Sequence, residues 1–545
     1  MESQRSFLLI GLALVSFLLW QQWQMDYGPQ PINQTPATTV EQETDTPASV
    51  HSDVPVSSQQ SNDVPDIAKG SQLVRITTDS LDVTINTQGG DIIETKLVDF
   101  PVTQGSQDSF VMFNSEPASL YIAQSGLIGR NGPDAISNGR PQYRVEQSTY
   151  EMTSDTLSVP LTYETEGQKI TKIFTFHKGE HHIDVAYKIE NLSEQTQQFQ
   201  QYGQLKQTLV GAEGSMFMPT YRGGAYSTQE DRYNKLSFDD MQDENLKEVT
   251  LGGWVGMLQH YFVSAWVPSQ DQSNTLYSRI LGGQYAAIGY LGTPFDVAAG
   301  EEKEVSSVLY VGPKDQDTLA QIANGLDLTV DYGVLWWISQ PLFSLLQFIH
   351  GLVGNWGLAI VFITIIVKGA MYWLTKAQYE SMAKLRALQP KMAALKERYG
   401  EDRQKMSQAM MELYRKEKVN PMGGCLPLLL QMPIFLALYW VLLESVELRH
   451  AEFYLWITDL SVKDPYFVLP VLTGASMYLL QKLQPMTIQD PMQQKIMQWM
   501  PVMMSIFFLW FPAGLVLYWL ISNVITLVQA KLIYSSMEKR GIKTK

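Results

Sequence analysis

Apolar and polar positions follow two different periods along the chain. From Leu73 to about residue 330, short runs such as VRITTDSLDVTI, KITKIFTFHKG and HIDVAYKIEN alternate apolar with polar residues, and Gly, Asn and Pro separate the runs. A period of two is typical of strands that bury one face. We therefore predict a large antiparallel β-sandwich domain over residues 71–330.

Long apolar stretches outside this region predict membrane spans. Ser6–Met25 carries no charged residue and is long enough to cross a bilayer. A cleaved signal peptide is the alternative, but the exit sequence WQQWQM has no small-x-small cleavage site, which favours a retained anchor over residues 1–25. Five further spans are predicted: Val353–Leu374, Val419–Leu443, Pro465–Gln481, Ile496–Trp510 and Gly514–Ile533. The last two share one uncharged stretch, which FPAG at residues 511–514 divides.

Two segments predict helices that do not span. Residues 331–351 repeat apolar positions at intervals of three and four and begin with Trp336 and Trp337, which favours an amphipathic helix in the outer membrane interface. Extension of the next span is the alternative. Residues 375–418 contain two apolar stripes separated by Gly400, which predicts a charged hairpin of two antiparallel helices.

The charge distribution suggests which side of the membrane each segment faces. The chain has a net charge of −15, which divides into −23 for residues 26–337 and +8 for the remainder. The hairpin 375–418 carries 11 Lys and Arg residues, and the tail after Val528 is also basic. Because basic segments stay in the cytoplasm, both termini are expected there and the β-domain across the membrane. Residues 26–70 are polar and Pro-rich, as expected of a disordered linker.

Lys368 is the most unusual residue of the predicted spans. No Asp, Glu, Lys or Arg occurs from Tyr332 to Val367, and a charge in hydrocarbon costs at least roughly 2.5–3.5 kcal/mol. Thr364 lies four residues before it and shares its helix face. Polar residues on two other spans could line the same cavity: Gln431, and the stripe formed by Trp519, Ser522, Asn523 and Thr526. A wet cavity would lower the cost of Lys368, and snorkelling towards Lys376 is the alternative.

The sequence gives little support for metal binding, a disulfide or catalysis. His177, His181 and His182 have no acidic or cysteine partner at ligand spacing, so we expect them to be surface strand residues and expect no metal. Cys425 is the only cysteine, which excludes an intramolecular disulfide. No P-loop, H-E-x-x-H or G-x-S-x-G motif occurs, and we expect neither an enzyme nor a cofactor. A secondary transporter and a structural membrane scaffold are the alternative functions.

Three segments of the C-terminal region resemble the YidC/Oxa/Alb family of membrane-protein insertases: NPMGGCLPLLLQMPIFLALYW, DPMQQKIMQWMPVMM and FLWFPAGLVLYWLISN. ITIIVKGAMYWLTKAQ is similar to the second span of that family, and the anchor with its β-domain resembles the Gram-negative branch. The resemblance implies a polytopic α-helical membrane protein with six transmembrane helices, a five-helix insertase core within residues 352–545, and a large periplasmic β-supersandwich domain. It also implies a hydrophilic groove open to the cytoplasm and to lipid.

The same resemblance implies roles and partners. Lys368 stands where the family usually has arginine, and it retains the positive charge without the planar fork. The side chains expected to contact the apolar part of a substrate are Phe435, Met477, Tyr518 and Trp519. The implied partners are nascent membrane-protein substrates, the Sec translocon, the ribosome and signal-recognition targeting machinery, and the lipid bilayer, with no nucleic-acid recognition of its own. The implied location is the bacterial inner membrane.

Overall fold

The structure is a computed structural model that describes residues 72–135, 140–209, 214–215, 218–399, 402–417, 426–483 and 491–539. Several predicted features lie outside these ranges: the anchor 1–25, the linker 26–70, Gly400, Cys425 and the last residues of the basic tail.

The described part of the first half consists of β-strands joined by short turns. They are β1 Leu73–Thr77, β2 Leu81–Asn86, β3 Asp91–Pro101, β4 Ser109–Phe113, β5 Tyr121–Ile128, β6 Thr149–Glu151, β7 Thr156–Glu164, β8 Gln168–His177, β9 His182–Asn191, β10 Gln197–Thr208, β11 Gly214–Ser215, β12 Met218–Pro219, β13 Gly223–Ser227, β14 Asn234–Leu236, β15 Lys247–Leu251, β16 Trp254–Leu258, β17 Phe262–Val267, β18 Ser273–Leu281, β19 Tyr285–Leu291, β20 Phe295–Val297 and β21 Glu302–Pro313.

These strands form two large sheets packed face to face. The first has eleven strands in the order β15-β18-β19-β10-β5-β3-β2-β1-β6, with β4 beside β3 and β20 beside β10. The second has eight, in the order β14-β13-β16-β17-β21-β9-β8-β7. Apart from the parallel β1–β6 pair, neighbouring strands in both sheets are antiparallel. The predicted antiparallel β-sandwich is confirmed.

Alternation along the strands builds the core between the sheets. In β8 and β9 every second side chain is buried, including Phe174, Phe176, Ile183 and Val185, and the residues between them face outward. β17 is buried at every position because short helices cover the outer face of its sheet as well. Period-two patterning therefore predicts the half-exposed strands better than the fully covered ones.

The described helices follow in chain order. Two short ones, α1 Phe238–Asp243 and α2 Gln316–Ile322, belong to the β-domain. The C-terminal region contains α3 Trp336–Val353, α4 Trp356–Ala370, α5 Tyr372–Ala387, α6 Gln389–Tyr399, α7 Arg403–Lys416, α8 Leu426–Glu444, α9 Val468–Leu483, α10 Pro491–Phe507 and α11 Ala513–Lys539. Short 3₁₀ turns occur at Pro117–Ser119, Leu326–Thr329, Gly333–Leu335, Val446–Leu448 and Phe508–Trp510.

A sharp turn separates the predicted interfacial helix from the first long apolar helix. α3 ends at Gly354, whose φ of 66° lies in the left-handed region that glycine adopts readily. The side chain of Asn355 then caps α4 by accepting a hydrogen bond from Leu358 N over 3.0 Å. The alternative that residues 331–351 simply extend the next span is therefore wrong.

Length and composition identify fewer spans than the sequence predicts. α11 is the one described helix that is both long and apolar enough to cross a membrane alone. α4 and α5 meet the same criterion only as a pair, and they are bent by 59° at Met371. The apolar helical parts Gln431–Glu444 and Gln498–Trp510 are shorter. Six transmembrane helices therefore stay a prediction.

The segment between α8 and α9 is fastened to the β-domain. The guanidinium of Arg449 donates to Pro101 O over 2.7 Å and lies 5.5 Å and 5.4 Å from the ring centroids of Phe110 and Phe262. From the β-domain, the Gln104 side chain donates to Thr458 O over 2.5 Å. Residues 445–467 thus form one end of the helical region, beside the sandwich.

The helices alternate in direction relative to this end. α4 begins there, since Asn355 donates to Glu452 O over 3.0 Å, and α9 begins there, since Asp464 accepts from Leu469 N over 2.7 Å. α11 also begins there, because Ala513 N donates to Val462 O over 2.7 Å. α8 ends there. Up-and-down alternation is what the predicted succession of spans requires.

α6 and α7 form the outer part of the segment predicted to be a charged hairpin. α6 and α7 pack as neighbours, and Lys391 of α6 pairs with Glu417 just after α7 over 2.5 Å. Asp402 caps α7 by accepting from Lys405 N. The first arm is interrupted at Leu388 and so consists of α5 and α6 rather than one helix.

Candidate functional site

Lys368 lies on the buried face of α4. Its side chain is 7% exposed and that of Thr364, one turn earlier, is 0% exposed. The Thr364 hydroxyl donates to Ile360 O over 2.5 Å and is thereby satisfied within the helix. Among the described residues, no carboxylate forms an ion pair with the Lys368 ammonium. The predicted pair is therefore brought together on one inward face.

The opposite face of α4 is apolar and exposed. Phe362, Ile365 and Ile366 are each more than two-fifths exposed. A helix with its charged residue inside and its large apolar residues outside reverses the pattern of a soluble protein. This arrangement suits a helix whose outer face contacts lipid.

Polar side chains of α9 and α11 meet between these two helices. Asn523 of α11 donates to Ser476 of α9 over 3.0 Å, and the Ser476 hydroxyl donates to Thr473 O over 2.7 Å. Thr526 donates to Ser522 O over 2.7 Å. The predicted stripe on the last helix is thus partly buried and contacts a second helix.

Gln529 connects α11 directly to Lys368. Its Nε2 donates to the main-chain oxygen of Lys368 over 3.0 Å. Sequence reasoning missed Gln529, Ser476 and Thr473. Gln529 lies three residues after Thr526 and seven after Ser522, so continuing the helical period by one more turn would have included it. Ser476 and Thr473 could have been found as polar residues three apart in the predicted fourth span.

An aromatic cluster lies between α8 and α11. The ring of Phe435 lies 4.5 Å from Trp519 in a T-shaped arrangement and 6.0 Å from Tyr518. Phe508 lies 4.9 Å from Trp519. Tyr518 is only 4% exposed and packs on the inner side of Phe435. Phe435 and Trp519 are half-buried. Aromatic contact of this kind fixes the relative position of the two helices.

Two further predicted residues lie on α9 and α8. Met477 of α9 is partly buried and packs against the apolar core of the helical region. Gln431 is half-buried on α8, one turn before Phe435. Among the described residues, no hydrogen bond joins Gln431 to Lys368. The predicted residues therefore fall into three groups: Lys368 with Thr364 on α4, Asn523 with Ser476 between α11 and α9, and the aromatic residues around Phe435.

A second buried polar cluster holds the β-domain together. Arg140 pairs with Asp134 over 2.5 Å and also with Asp91. The Lys172 ammonium donates to three main-chain carbonyl oxygens at 2.7–3.2 Å. Burial lowers the pKa of Lys172 to about 7 and raises the pKa of Asp134. Because these charged groups find partners inside the sandwich, we assign this cluster a structural role.

The histidines of the β8–β9 hairpin require a correction. The expectation that no acidic side chain lies at ligand distance is wrong, because Asp184 Oδ2 lies 2.8 Å from His177 Nε2. The two residues are seven apart along the chain, and only the pairing of β8 with β9 brings them together. His181 instead turns its ring towards Phe100, with 6.0 Å between the centroids.

Family models match the chain over most of its length. The model described as the YidC periplasmic domain matches residues 73–345. The model described as the 60Kd inner membrane protein matches residues 348–540. The boundary between them lies within α3, close to where the β-domain gives way to the helices.

Full-length relatives are named as YidC proteins as well. The membrane protein insertase YidC of Pseudoalteromonas atlantica is 62% identical over 551 residues, and that of Shewanella piezotolerans is 54% identical over 554 residues. In both comparisons the match covers 100% of each chain. A crystal structure of an active YidC insertase with its first transmembrane domain resolved is 18% identical, covers 85% of this chain and 92% of that chain, and has a TM-score of 0.36. On these matches, this chain belongs to the YidC family of membrane protein insertases.

Proposed function

We propose that this chain inserts nascent membrane proteins into the bilayer through a polar groove bounded by α4, α8, α9 and α11. A short hydrophilic tail or loop of the substrate enters from the cytoplasm and is held transiently by Lys368 and the neutral polar groups near it. The apolar segment of the substrate moves along the lipid-facing side and enters hydrocarbon, which is favourable and supplies the driving force. No covalent bond forms or breaks.

The observation that carries this proposal is the burial of Lys368 without an acidic partner among the described residues. An unpaired ammonium in an apolar interior is costly, so either water or a substrate carboxylate must solvate it. Its 7% exposure also disfavours snorkelling along the outer surface. A positive group that lacks its own counter-charge favours acidic tails over basic ones.

The depth of Lys368 fits a groove open to the cytoplasm. Lys368 follows Trp356 by twelve residues, which corresponds to about 18 Å of helix rise from the end of α4 beside the β-domain. A hydrocarbon core is about 30 Å thick, so the ammonium would lie in the half away from the β-domain. The polar groups of α9 and α11 would continue this wet region, which shortens the apolar path that a substrate tail must cross.

The aromatic cluster fits a role in guiding the apolar segment. Phe435 and Trp519 are half-buried, and Met477 of α9, also partly buried, is a flexible side chain that adapts to different partners. Tyr518 is covered and would act by holding Phe435 in place. A surface of this composition makes no demand on the sequence of the apolar segment, as a general insertase requires.

The membrane arrangement completes the proposal. The chain would cross the bacterial inner membrane six times, with both termini in the cytoplasm and the β-supersandwich in the periplasm. The alternating helix ends beside the β-domain support this order for the described part. The hairpin and the basic tail would contact the ribosome and the signal-recognition targeting machinery, and the core would act alone or beside the Sec translocon.

Insertion into proteoliposomes tests the proposal. Purified wild type, Lys368→Arg, Lys368→Ala and Lys368→Glu are compared for protected insertion of a single-span substrate with an acidic N-terminal tail. We expect Arg to support insertion and Ala and Glu to reduce it at least roughly tenfold, with Glu the poorer. Equal insertion by all four folded variants would show that Lys368 has no part in substrate capture.

A further inference from the structure

The β8–β9 hairpin gathers three metal-ligating side chains on one face of the eight-stranded sheet. His177 is the last residue of β8, His182 is the first of β9, and Asp184 follows two residues later. Their ligand atoms all lie within 4.8 Å of one another, and all three side chains are half-buried. The His177 and His182 rings are stacked, with 4.8 Å between centroids and 28° between planes.

Strand pairing fixes this arrangement. Phe176 pairs with Ile183 and Thr175 with Asp184, so His177 stands opposite His182 and diagonal to Asp184. Since the paired Phe176 and Ile183 face the core, the two histidines and the aspartate face outward. The hairpin itself is closed by Glu180 N, which donates to His177 O over 3.2 Å. The cluster is therefore held by backbone hydrogen bonds on both sides.

We propose that His177, His182 and Asp184 bind Zn²⁺ or a chemically similar divalent metal ion. Two imidazoles and a carboxylate are ligands that suit Zn²⁺, Cu²⁺ or Ni²⁺ better than Mg²⁺ or Ca²⁺. Tetrahedral ligands at about 2.0–2.2 Å from zinc are roughly 3.4 Å apart. The 2.8 Å between His177 Nε2 and Asp184 Oδ2 lies below this value and the 4.8 Å limit of the group lies above it, so small side-chain rotations suffice.

Glu180 supplies the outer contact that metal-binding histidines usually have. Its Oε2 lies 3.6 Å from His182 Nδ1, which leaves the Nε2 of the same ring for the ion. A carboxylate in this position orients the ring. The partial exposure of the cluster leaves a fourth position open to water.

The hairpin also joins the two sheets. Ser80 of the first sheet donates to Glu180 O over 2.6 Å, and Gly179 N donates to Asp79 over 3.0 Å. An ion that bridges β8 and β9 beside these contacts stiffens the edge of the sandwich where the sheets meet. Binding to the folded state alone should therefore raise the unfolding temperature of the β-domain. This inference does not depend on the proposed role of Lys368.

Zinc titration of the full chain tests the inference. Detergent-purified wild type, freed of metal with EDTA, is titrated with ZnCl₂ and followed by calorimetry and by thermal unfolding. His177→Asn, His182→Gln and Asp184→Asn are compared with two controls on the same end of the domain, His181→Asn and Asp155→Asn. Unfolding in EDTA identifies any variant that fails to fold, and three separate ligand variants keep the comparison possible if one does.

We expect one zinc site per chain that raises the unfolding temperature. Each ligand substitution should weaken binding at least roughly tenfold and abolish the thermal shift, and both controls should bind as wild type does. MgCl₂ should produce no shift. Absence of zinc binding, equal binding by the ligand variants, or equal binding of Mg²⁺ would overturn the inference.

Discussion

Gln529 Nε2 donates a hydrogen bond of 3.0 Å to the main-chain carbonyl oxygen of Lys368. α4 ends two residues after Lys368, so this carbonyl belongs to the last turn, whose oxygens lack the usual partner within the helix. Gln529 is buried, and its Oε1 makes no hydrogen bond to any described residue. α11 therefore caps α4 at Lys368 and holds the backbone from which the Lys368 side chain projects.

Replacement of Gln529 by leucine should weaken insertion of acidic-tailed substrates. The change removes a buried hydrogen bond worth about 1 kcal/mol and leaves the Lys368 carbonyl unsatisfied, which predicts roughly a fivefold loss of initial insertion rate. The measurement is protected insertion in proteoliposomes at limiting insertase. Val528→Leu, on the neighbouring exposed position of α11, is the matched control and should insert normally. Wild-type rates for Gln529→Leu would contradict a positioning role.

Sequence patterns predict the helices and strands of this protein better than the contacts between them. Alternation identified β8 and β9 because one face of each is exposed, and the charge at Lys368 singled out the helix that we propose acts in insertion. The bond between Gln529 and Lys368 could not be predicted, since it depends on how two helices 161 residues apart in sequence pack together. The same holds for Asp184, which reaches His177 only through strand register.

Span boundaries were the weakest prediction for a related physical reason. Hydropathy alone extended the second predicted span to Leu374, whereas α4 ends at Ala370 and the chain then bends by 59°. Because apolar residues continue past the bend, hydropathy does not indicate where the helix ends. At Phe511, by contrast, the backbone is extended directly before Pro512, and the FPAG motif predicted that break correctly.

Arg449 should control how firmly the β-domain is held on the helical core. Its guanidinium lies against Phe110 and Phe262 and donates to Pro101 O, which combines cation–π contact with a charge-assisted hydrogen bond. Arg449→Ala should increase amide hydrogen exchange in residues 98–110 several-fold, and Arg449→Lys should give a smaller increase. Arg75→Ala, which removes one partner of the exposed ion pair with Asp82, is the control. Unchanged exchange in Arg449→Ala would show that other contacts carry the interface.

His260 should make this interface sensitive to acid. In the tautomer protonated at Nε2, His260 donates to Leu443 O over 3.0 Å, and burial, with Lys314 nearby, lowers the pKa of His260 to about 4 from 6.5. The folded state then binds this proton at lower pH than the unfolded state does. The stabilisation is therefore complete above pH 6.5 and is lost as the pH falls towards 4.

A comparison with His260→Gln isolates this effect. Burial raises the pKa of Glu447 to about 7, which has the opposite sign, because ionisation of Glu447 destabilises the folded state as the pH rises from 4.5 to 7. Subtracting the variant from the wild type removes that contribution. Between pH 7 and pH 5 the unfolding temperature of wild type should fall further than that of His260→Gln. Parallel curves would mean that His260 does not titrate in this range.

Deletion of the β-domain should leave insertion largely intact. The proposed groove residues all belong to α4, α8, α9 and α11. The β-domain reaches the helical region at Leu443, near the end of α8, and at Arg449, just after it. Val330 and Tyr332 pack within the helical core, so a deletion of residues 72–325 keeps them. Insertion by this variant should stay within a few-fold of wild type when corrected for expression. Complete loss in a stably expressed deletion would assign the β-domain an essential part in insertion.

The most direct test of the central claim exchanges charges between Lys368 and the substrate tail. Wild type and Lys368→Glu are each reconstituted without a membrane potential and supplied with substrates that differ only in an acidic, neutral or basic tail. If Lys368 holds the tail in the groove, wild type inserts the acidic tail best, Lys368→Glu inserts the basic tail best, and the two changes compensate each other. If the effect of tail charge is the same with both proteins, Lys368 does not contact the tail and the proposed groove mechanism is wrong.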